Sequence, residues 1–114
     1  MGPVVDLLKL LADASGRGVI WSLARGAGIN VNLARLDRED EVGEHVNDAV
    51  DVALVGILGK GLVVVDGETR PLAAGSLTIV TSGTRRRLAA PDEAFGYVSI
   101  HAERHGLTVR RASG

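Results

Sequence analysis

The chain has 114 residues, a formal net charge of −1 and no cysteine, which excludes disulfide scaffolds, zinc ribbons and thiol nucleophiles. Its composition, 46% hydrophobic and 24% charged, indicates a globular protein, and the balanced charge provides no basic surface for nucleic acid or an anionic membrane. No apolar stretch approaches the ~20 residues of a membrane span, so the sequence predicts a cytoplasmic protein with no membrane or nucleic-acid partner.

The first predicted element is a helix over residues 4–14. Pro3 suits its first position and Gly16 suits its end. The polar side of this helix carries no Lys/Arg cluster, so we expect it to pack on the rest of the domain or on a neighbouring subunit. Its apolar side chains share one stripe at helical spacing: Val4, Leu7, Leu8 and Leu11.

From Gly18 onward the pattern changes to the period of two that is typical of β-strands. The 15 glycines and the 3% aromatic content predict frequent turns and an aliphatic core. Asp66-Gly67 is a strong hairpin signal, because both central residues of such a turn take positive φ. The predicted strands cover residues 19–23, 29–36, 50–58, 62–65, 76–81, 85–89, 96–102 and 107–111.

Eight or nine short strands without a second long helix predict an all-β fold. They favour an antiparallel β-barrel or jelly roll over a fold with parallel strands and crossover helices. The chain contains no linker, repeat or low-complexity tract, so we expect residues 1–17 to form the helix and its lead-in and residues 18–114 to form a single barrel domain. Its edge strands and apolar helix favour a homodimer.

The most informative polar segment covers residues 43–51. If strand geometry runs through it, His45, Asn47 and Asp51 project to the same face. Burying such groups without partners costs ~2 kcal/mol or more each, so their convergence inside a barrel would indicate a site. In the arginine run at residues 85–87, the same alternation points Arg86 to one side and both of its neighbours to the other.

Two further polar sets alternate with apolar residues. Asn30 and Asn32 share one strand face, and Tyr97, Ser99 and His101 share another. We interpret both sets as the polar outer faces of half-buried strands. Asn32 and His101 remain weaker candidates for a pocket.

The order His45-x-Asn47, Asp51 and Gly59-Lys60-Gly61 resembles the first motif of the cupin family. That motif consists of Gly, five residues, His-x-His, three or four residues, Glu, six residues and Gly. The segment that starts at Gly75 and runs through Thr81-Ser82-Gly83 resembles the second motif: Gly, five residues, Pro-x-Gly, two residues and His. The resemblance implies a cupin-type jelly-roll β-barrel, or double-stranded β-helix, that has one pocket and is commonly dimeric.

Cupins that bind a metal use the two His and the Glu of the first motif together with the His of the second. The matching positions here are His45, Asn47, Asp51 and Arg86. A guanidinium is always charged and is not a metal ligand, so we expect no cofactor and an internal ion pair between Arg86 and Asp51 instead. A divalent transition metal, if bound, would use His45, Asp51 and His101.

Three functions follow from this reading. The first is a metal-free binder of a small polar or anionic molecule, and the second is a metal-dependent cupin enzyme of the dioxygenase or isomerase type. The third is a structural dimeric module with a filled barrel. The sequence does not decide whether any reaction is catalysed. The predicted ligand pocket consists of His45, Asn47, Asp51 and Arg86, with Asn32 and His101 as weaker members.

Overall fold

A computed structural model describes residues 4–23 and 28–103. The predicted strand at 107–111, the position of Pro3 and most of the loop before β2 lie outside these residues. The described elements, in chain order, are α1 (Leu7–Asp13), β1 (Gly18–Ser22), β2 (Ile29–Leu36), β3 (Asp40–Val46), β4 (Val52–Leu58), β5 (Lys60–Val65), β6 (Glu68–Ala73), β7 (Leu77–Val80), β8 (Arg85–Ala90) and β9 (Phe95–Ala102).

The strands form two antiparallel sheets. Sheet A has the order β1-β2-β9-β4-β7 and sheet B has the order β3-β8-β5-β6. Both sheets contribute buried side chains to one shared core, so they lie face to face as the two halves of a barrel. This arrangement confirms the predicted all-β jelly roll with a short N-terminal helix.

Strand β6 was not predicted, because Pro71 and Gly75 together suggested a connection. Pro71 is tolerated because β6 is an edge strand, where one side of the backbone needs no partner. The hairpin that joins β5 to β6 confirms the predicted turn, with Asp66 at φ 49° and Gly67 at φ 83°.

The barrel core is aliphatic except for two aromatic side chains of β9, Phe95 and Tyr97. The Phe95 ring is fully buried against the backbone of Gly61, where an added Cβ would lie 2.4 Å from the ring. A side chain at this position would therefore displace the largest fully buried side chain that the structure describes. The other large core side chains include Leu36, Leu54, Val63, Leu72 and Leu88.

Helix α1 is shorter than predicted. It begins at Leu7 because the side chain of Asp6 accepts a hydrogen bond from the Lys9 backbone N–H at 3.1 Å and caps the first turn. Leu8 is 57% exposed and so does not belong to the buried stripe. The helix packs on the outer side of sheet A, where Leu11 is buried against Leu33 and Val98.

The described residues contain no helix with the length and apolar character that crossing a bilayer requires. On the outer side of edge strand β7, Leu77 is 61% exposed and Ile79 is 52% exposed. Such residues are compatible with a subunit interface, and the homodimer stays a prediction.

Candidate functional site

Asn30 and Asn32 of β2 lie on the side of the strand that faces the barrel interior. Ala34 and Leu36 of the same strand belong to the barrel core, and alternation along an unbroken strand places the two asparagines on that face. The interpretation of this set as a polar outer face is therefore wrong. Oδ1 of Asn32 accepts a hydrogen bond from the Ser22 hydroxyl at 2.6 Å, so its remaining polar atom, Nδ2, provides two donor hydrogens.

Ser99 and His101 of β9 lie on the same interior side. Phe95 and Tyr97 precede them at spacings of two residues and belong to the core, so the outer-face interpretation of this set is also wrong. Nδ1 of His101 lies 2.9 Å from the carbonyl oxygen of Ala102. A carbonyl only accepts, so Nδ1 donates, and Nε2 of the neutral ring is then an acceptor.

These four side chains form one surface, which we call the polar strip: Asn30, Asn32, Ser99 and His101. Strands β2 and β9 pair in a continuous register that sets Asn30 opposite His101 and Asn32 opposite Ser99. Directly opposed residues on one face of a sheet have Cβ atoms about 5 Å apart, so each pair presents its polar groups to the same point.

Arg86 lies on the interior face of sheet B. Leu88, two residues further along β8, is in the core, and the Nε and Nη1 atoms of Arg86 are buried. The alternation predicted for the arginine run is confirmed, because its two neighbours point outward and form ion pairs with β3. These outer pairs are Arg85 with Glu44 at 4.0 Å and Arg87 with Glu41 at 2.7 Å.

His45 is aligned with Arg86 by a β-bulge. Val42 pairs with Leu88, but the register then shifts by one residue, so that the next pair joins His45 to Arg86. One extra residue in β3 therefore turns Glu44 outward and sets His45 on the side of Arg86. The His45 side chain is exposed at the end of the strand. Nothing in the spacing of the sequence marks this bulge.

Asn47 and Asp51 do not continue the face of His45, because β3 ends at Val46. Oδ1 of Asn47 accepts hydrogen bonds from two backbone N–H groups of the following turn, at 3.0 and 3.3 Å. Oδ1 of Asp51 accepts one from the backbone N–H of Ser82 at 2.8 Å. The predicted convergence of the three side chains on one strand face is therefore wrong, and two of them stabilise loops.

The expected ion pair between Arg86 and Asp51 does not form either. Asp51 is exposed, and the ion pairs within residues 4–23 and 28–103 include none that joins these two side chains. The Asp51–Ser82 contact instead ties the β3–β4 loop to the β7–β8 loop, and the carbonyl of Asn47 accepts from Gly83 N–H at 2.8 Å. Both loops therefore lie at the same end of the barrel.

The polar strip belongs to that end as well. Strand β4 begins there, and Ala53 near its start pairs with Ile100 near the end of β9. We therefore call this end the polar end: the polar strip together with His45 and Arg86. The opposite end, where Leu36 pairs with Phe95, is the apolar end.

Tyr97 links the two sheets electrostatically. Its burial raises the pKa of the phenol above the ordinary value of 10.0, and the Arg86 guanidinium partly opposes this by favouring the phenolate. Arg86 of sheet B therefore influences the ionisation of a sheet A side chain, two residues before Ser99 of the polar strip. The prediction that Tyr97 lies on an outer face is wrong, and its spacing of two from Phe95 is the sequence feature that indicates its burial.

The residues at the polar end do not fit a transition metal. Within the described ranges no three His, Asp or Glu side chains group closely enough to hold an ion, so His45, Asp51 and His101 are not brought together. Asp51 holds a loop, and Arg86 occupies the position that matches the histidine of the second motif. A fixed cation there opposes a second cation by Coulomb repulsion.

No protein-family model matches the sequence, and no curated protein matches it. Solved structures do. A cupin protein from Bacteroides fragilis is 23% identical, with 69% of each chain covered and a TM-score of 0.64. An RmlC-like cupin family protein with a double-stranded β-helix fold from Methanocaldococcus jannaschii is 17% identical, with 85% of this chain and 89% of that chain covered and a TM-score of 0.72.

The cupin domain of Schizosaccharomyces pombe Cnp3 is also similar, at 17% identity and a TM-score of 0.72, with 90% of this chain and 77% of that chain covered. Identities this low show the fold alone. The chain therefore has the cupin fold, the double-stranded β-helix that its motifs implied.

Proposed function

We propose that this cupin-fold protein binds a small organic anion at the polar end of its barrel, without a metal cofactor, and that Arg86 is the main contact. The observation that carries the proposal is a permanently charged guanidinium on the interior face of the barrel, two residues along β8 from the core residue Leu88. Partial burial strengthens the attraction of such a group for an anion, because the effective dielectric constant around it is lower than in water.

The chemistry of Arg86 suits a carboxylate or a phosphate. A guanidinium carries five N–H donors in a planar fork, so it can contact an anion through two parallel hydrogen bonds and the protein through the others. His45 stands opposite Arg86 in the register and is exposed, which places it at the rim that a ligand would cross. Two contacts hold the loops at this end together: the Asp51 carboxylate accepts from Ser82 N–H, and the Asn47 carbonyl accepts from Gly83 N–H.

A thermal-shift assay with a panel of small carboxylates tests the proposal. We expect a carboxylate that binds only the folded state to raise the melting temperature. At a hundredfold excess over its Kd, such a ligand increases the free energy of unfolding by about 2.7 kcal/mol. The variant Arg86→Met keeps a side chain of similar length without the charge, and we expect it to lose the response.

The matched control is Arg85→Met, which removes the neighbouring guanidinium from the outer face of the same strand. It should keep the response to carboxylates at the same ionic strength. If no carboxylate stabilises the wild type, or if both variants respond equally, the anion site is absent and the filled structural barrel becomes the better description. Stoichiometric iron, manganese, nickel or zinc in the purified protein would overturn the proposal that the ligand binds without a metal cofactor.

A further inference from the structure

We infer that the ligand is a small polyhydroxylated carboxylate, whose carboxylate binds Arg86 and whose hydroxyl groups bind the polar strip. The inference rests on the proposed anion site and adds a chemical class to it. Its basis is the contrast between the two walls of the polar end, because sheet B provides positive charge and sheet A provides neutral hydrogen-bonding groups.

The wall from sheet A carries no carboxylate or permanent cation among the strip residues. Amide, hydroxyl and imidazole groups all form hydrogen bonds with a ligand hydroxyl, which can donate or accept. A hydrocarbon chain against this wall would leave those groups without partners, at a cost of ~1–3 kcal/mol for each buried one. The wall therefore favours a ligand whose uncharged part is itself polar.

The internal contacts of the strip set out what it offers. The hydrogen bond from Ser22 uses Oδ1 of Asn32, so the donors that Asn32 offers to a ligand are those of Nδ2, on a residue that stands opposite Ser99 in the register. His101 donates from Nδ1 to its neighbouring carbonyl, and in the neutral tautomer that this contact selects Nε2 accepts. The Asn32–Ser99 pair therefore offers donors and the neighbouring Asn30–His101 pair offers an acceptor. Hydroxyl groups on successive carbon atoms of a ligand can bind the two pairs in turn.

The spacing of the two sheets limits the length of that chain. Arg86 lies on the interior face of sheet B and the polar strip lies on the interior face of sheet A, at the same end of the barrel. Packed sheets lie about 10 Å apart, so a small acid can reach from Arg86 to the strip, and we expect ligands of about three to six carbons.

Isothermal titration calorimetry with matched acids tests this class. Each hydroxylated acid is compared with the deoxy acid of equal length: glycerate with propionate, threonate with butyrate, gluconate with hexanoate. The uncharged polyols erythritol and sorbitol complete the set. We expect at least one hydroxylated acid to bind about tenfold or more tightly than its deoxy partner, because a site built to bind hydroxyls discriminates against analogues that lack them.

Two variants assign the discrimination to the strip. Ser99→Ala and Asn32→Ala should each reduce the affinity ratio of hydroxylated to deoxy acid several-fold while the deoxy acid binds as before. Because the readout is a ratio, a loss of stability does not imitate it. Ser76 is the exposed residue directly before β7, at the end of that strand away from the polar end. Ser76→Ala should therefore leave the ratio unchanged.

The outcomes distinguish a failure of hydroxyl recognition from a failure of the proposed anion site at Arg86. Equal affinities within every matched pair overturn the hydroxyl recognition and leave the anion site standing. A polyol that binds as tightly as its acid overturns the anion site. If none of the acids binds the wild type, both are overturned together.

Discussion

The two ends of the barrel are built on the same strands and the same interior face, yet their chemistry is opposite. At one end of the β2–β9 ladder Leu36 faces Phe95, and at the other end Asn30 faces His101. The alternation that separates inside from outside is identical along the whole ladder. In this barrel, distance along the strand therefore separates the residues that stabilise the fold from those available for binding.

Strand β8 of the opposite sheet repeats this division. Ala90 and Leu88 lie in the core, and Arg86 follows on the same face at the polar end. Burial of the apolar groups stabilises the fold by ~25 cal/mol per Å². Burial of the guanidinium opposes folding unless its charge and donors are satisfied. The stability of the barrel should thus come mainly from its apolar end.

The strongest test of this contrast is a pair of truncations on one strand face. We expect Phe95→Ala to lower the free energy of unfolding by ~3–5 kcal/mol, because it removes the largest fully buried side chain and leaves a cavity. Ser99→Ala, four residues along the same face, should cost less than ~1 kcal/mol. Urea denaturation followed by circular dichroism measures both, and equal losses would contradict the division into two ends.

A second, smaller effect should come from adding a methyl group instead of removing a ring. We expect Gly61→Ala to cost ~1–3 kcal/mol, since its Cβ would lie 2.4 Å from the Phe95 ring and force the core to shift. Gly43→Ala is the control in β3, because a Cβ there meets nothing within 4 Å. The same urea titrations compare the two variants, and similar midpoints for both would show that the apolar end is loosely packed.

The sequence predicted the fold and the individual polar residues better than it predicted the sides on which they lie. The period of two correctly grouped Asn32 with Asn30, and Tyr97 with Ser99. It did not say which side of each strand was internal, because α1 covers the outer side of sheet A and gives it an apolar surface too. Both faces of these strands are therefore partly apolar, and alternation alone cannot distinguish them.

The wrong predictions for Asn47 and Asp51, which follow β3 of sheet B, have a different physical cause. A bulge adds one residue between Val42 and His45, and β3 then ends before Asn47. The alternation of two residues was continued from His45 to Asp51, but the strand ends between them, so the two side chains share no strand face. Turn chemistry, in contrast, is local: Asp66-Gly67 specifies its own positive φ values and was predicted correctly.

The smallest expected effect is also the most specific to the polar end. Burial raises the pKa of Tyr97, so ionisation of the phenol in the folded protein needs a higher pH than in the unfolded chain. The stability that this shift represents is fully present below pH ~10 and is lost as the pH rises through the folded pKa. Relative to Tyr97→Phe, the wild type should therefore lose free energy of unfolding above pH ~10.

Tyr97 is the single tyrosine of the chain, so its tyrosinate absorbance reports this group alone. Arg86 favours the phenolate, and we expect Arg86→Met to move the absorbance titration to higher pH. Arg85→Met should leave the titration in place, because that guanidinium lies on the outer face beside Glu44. A titration that Arg86→Met does not move would mean that the guanidinium does not act across the barrel at the depth of Tyr97.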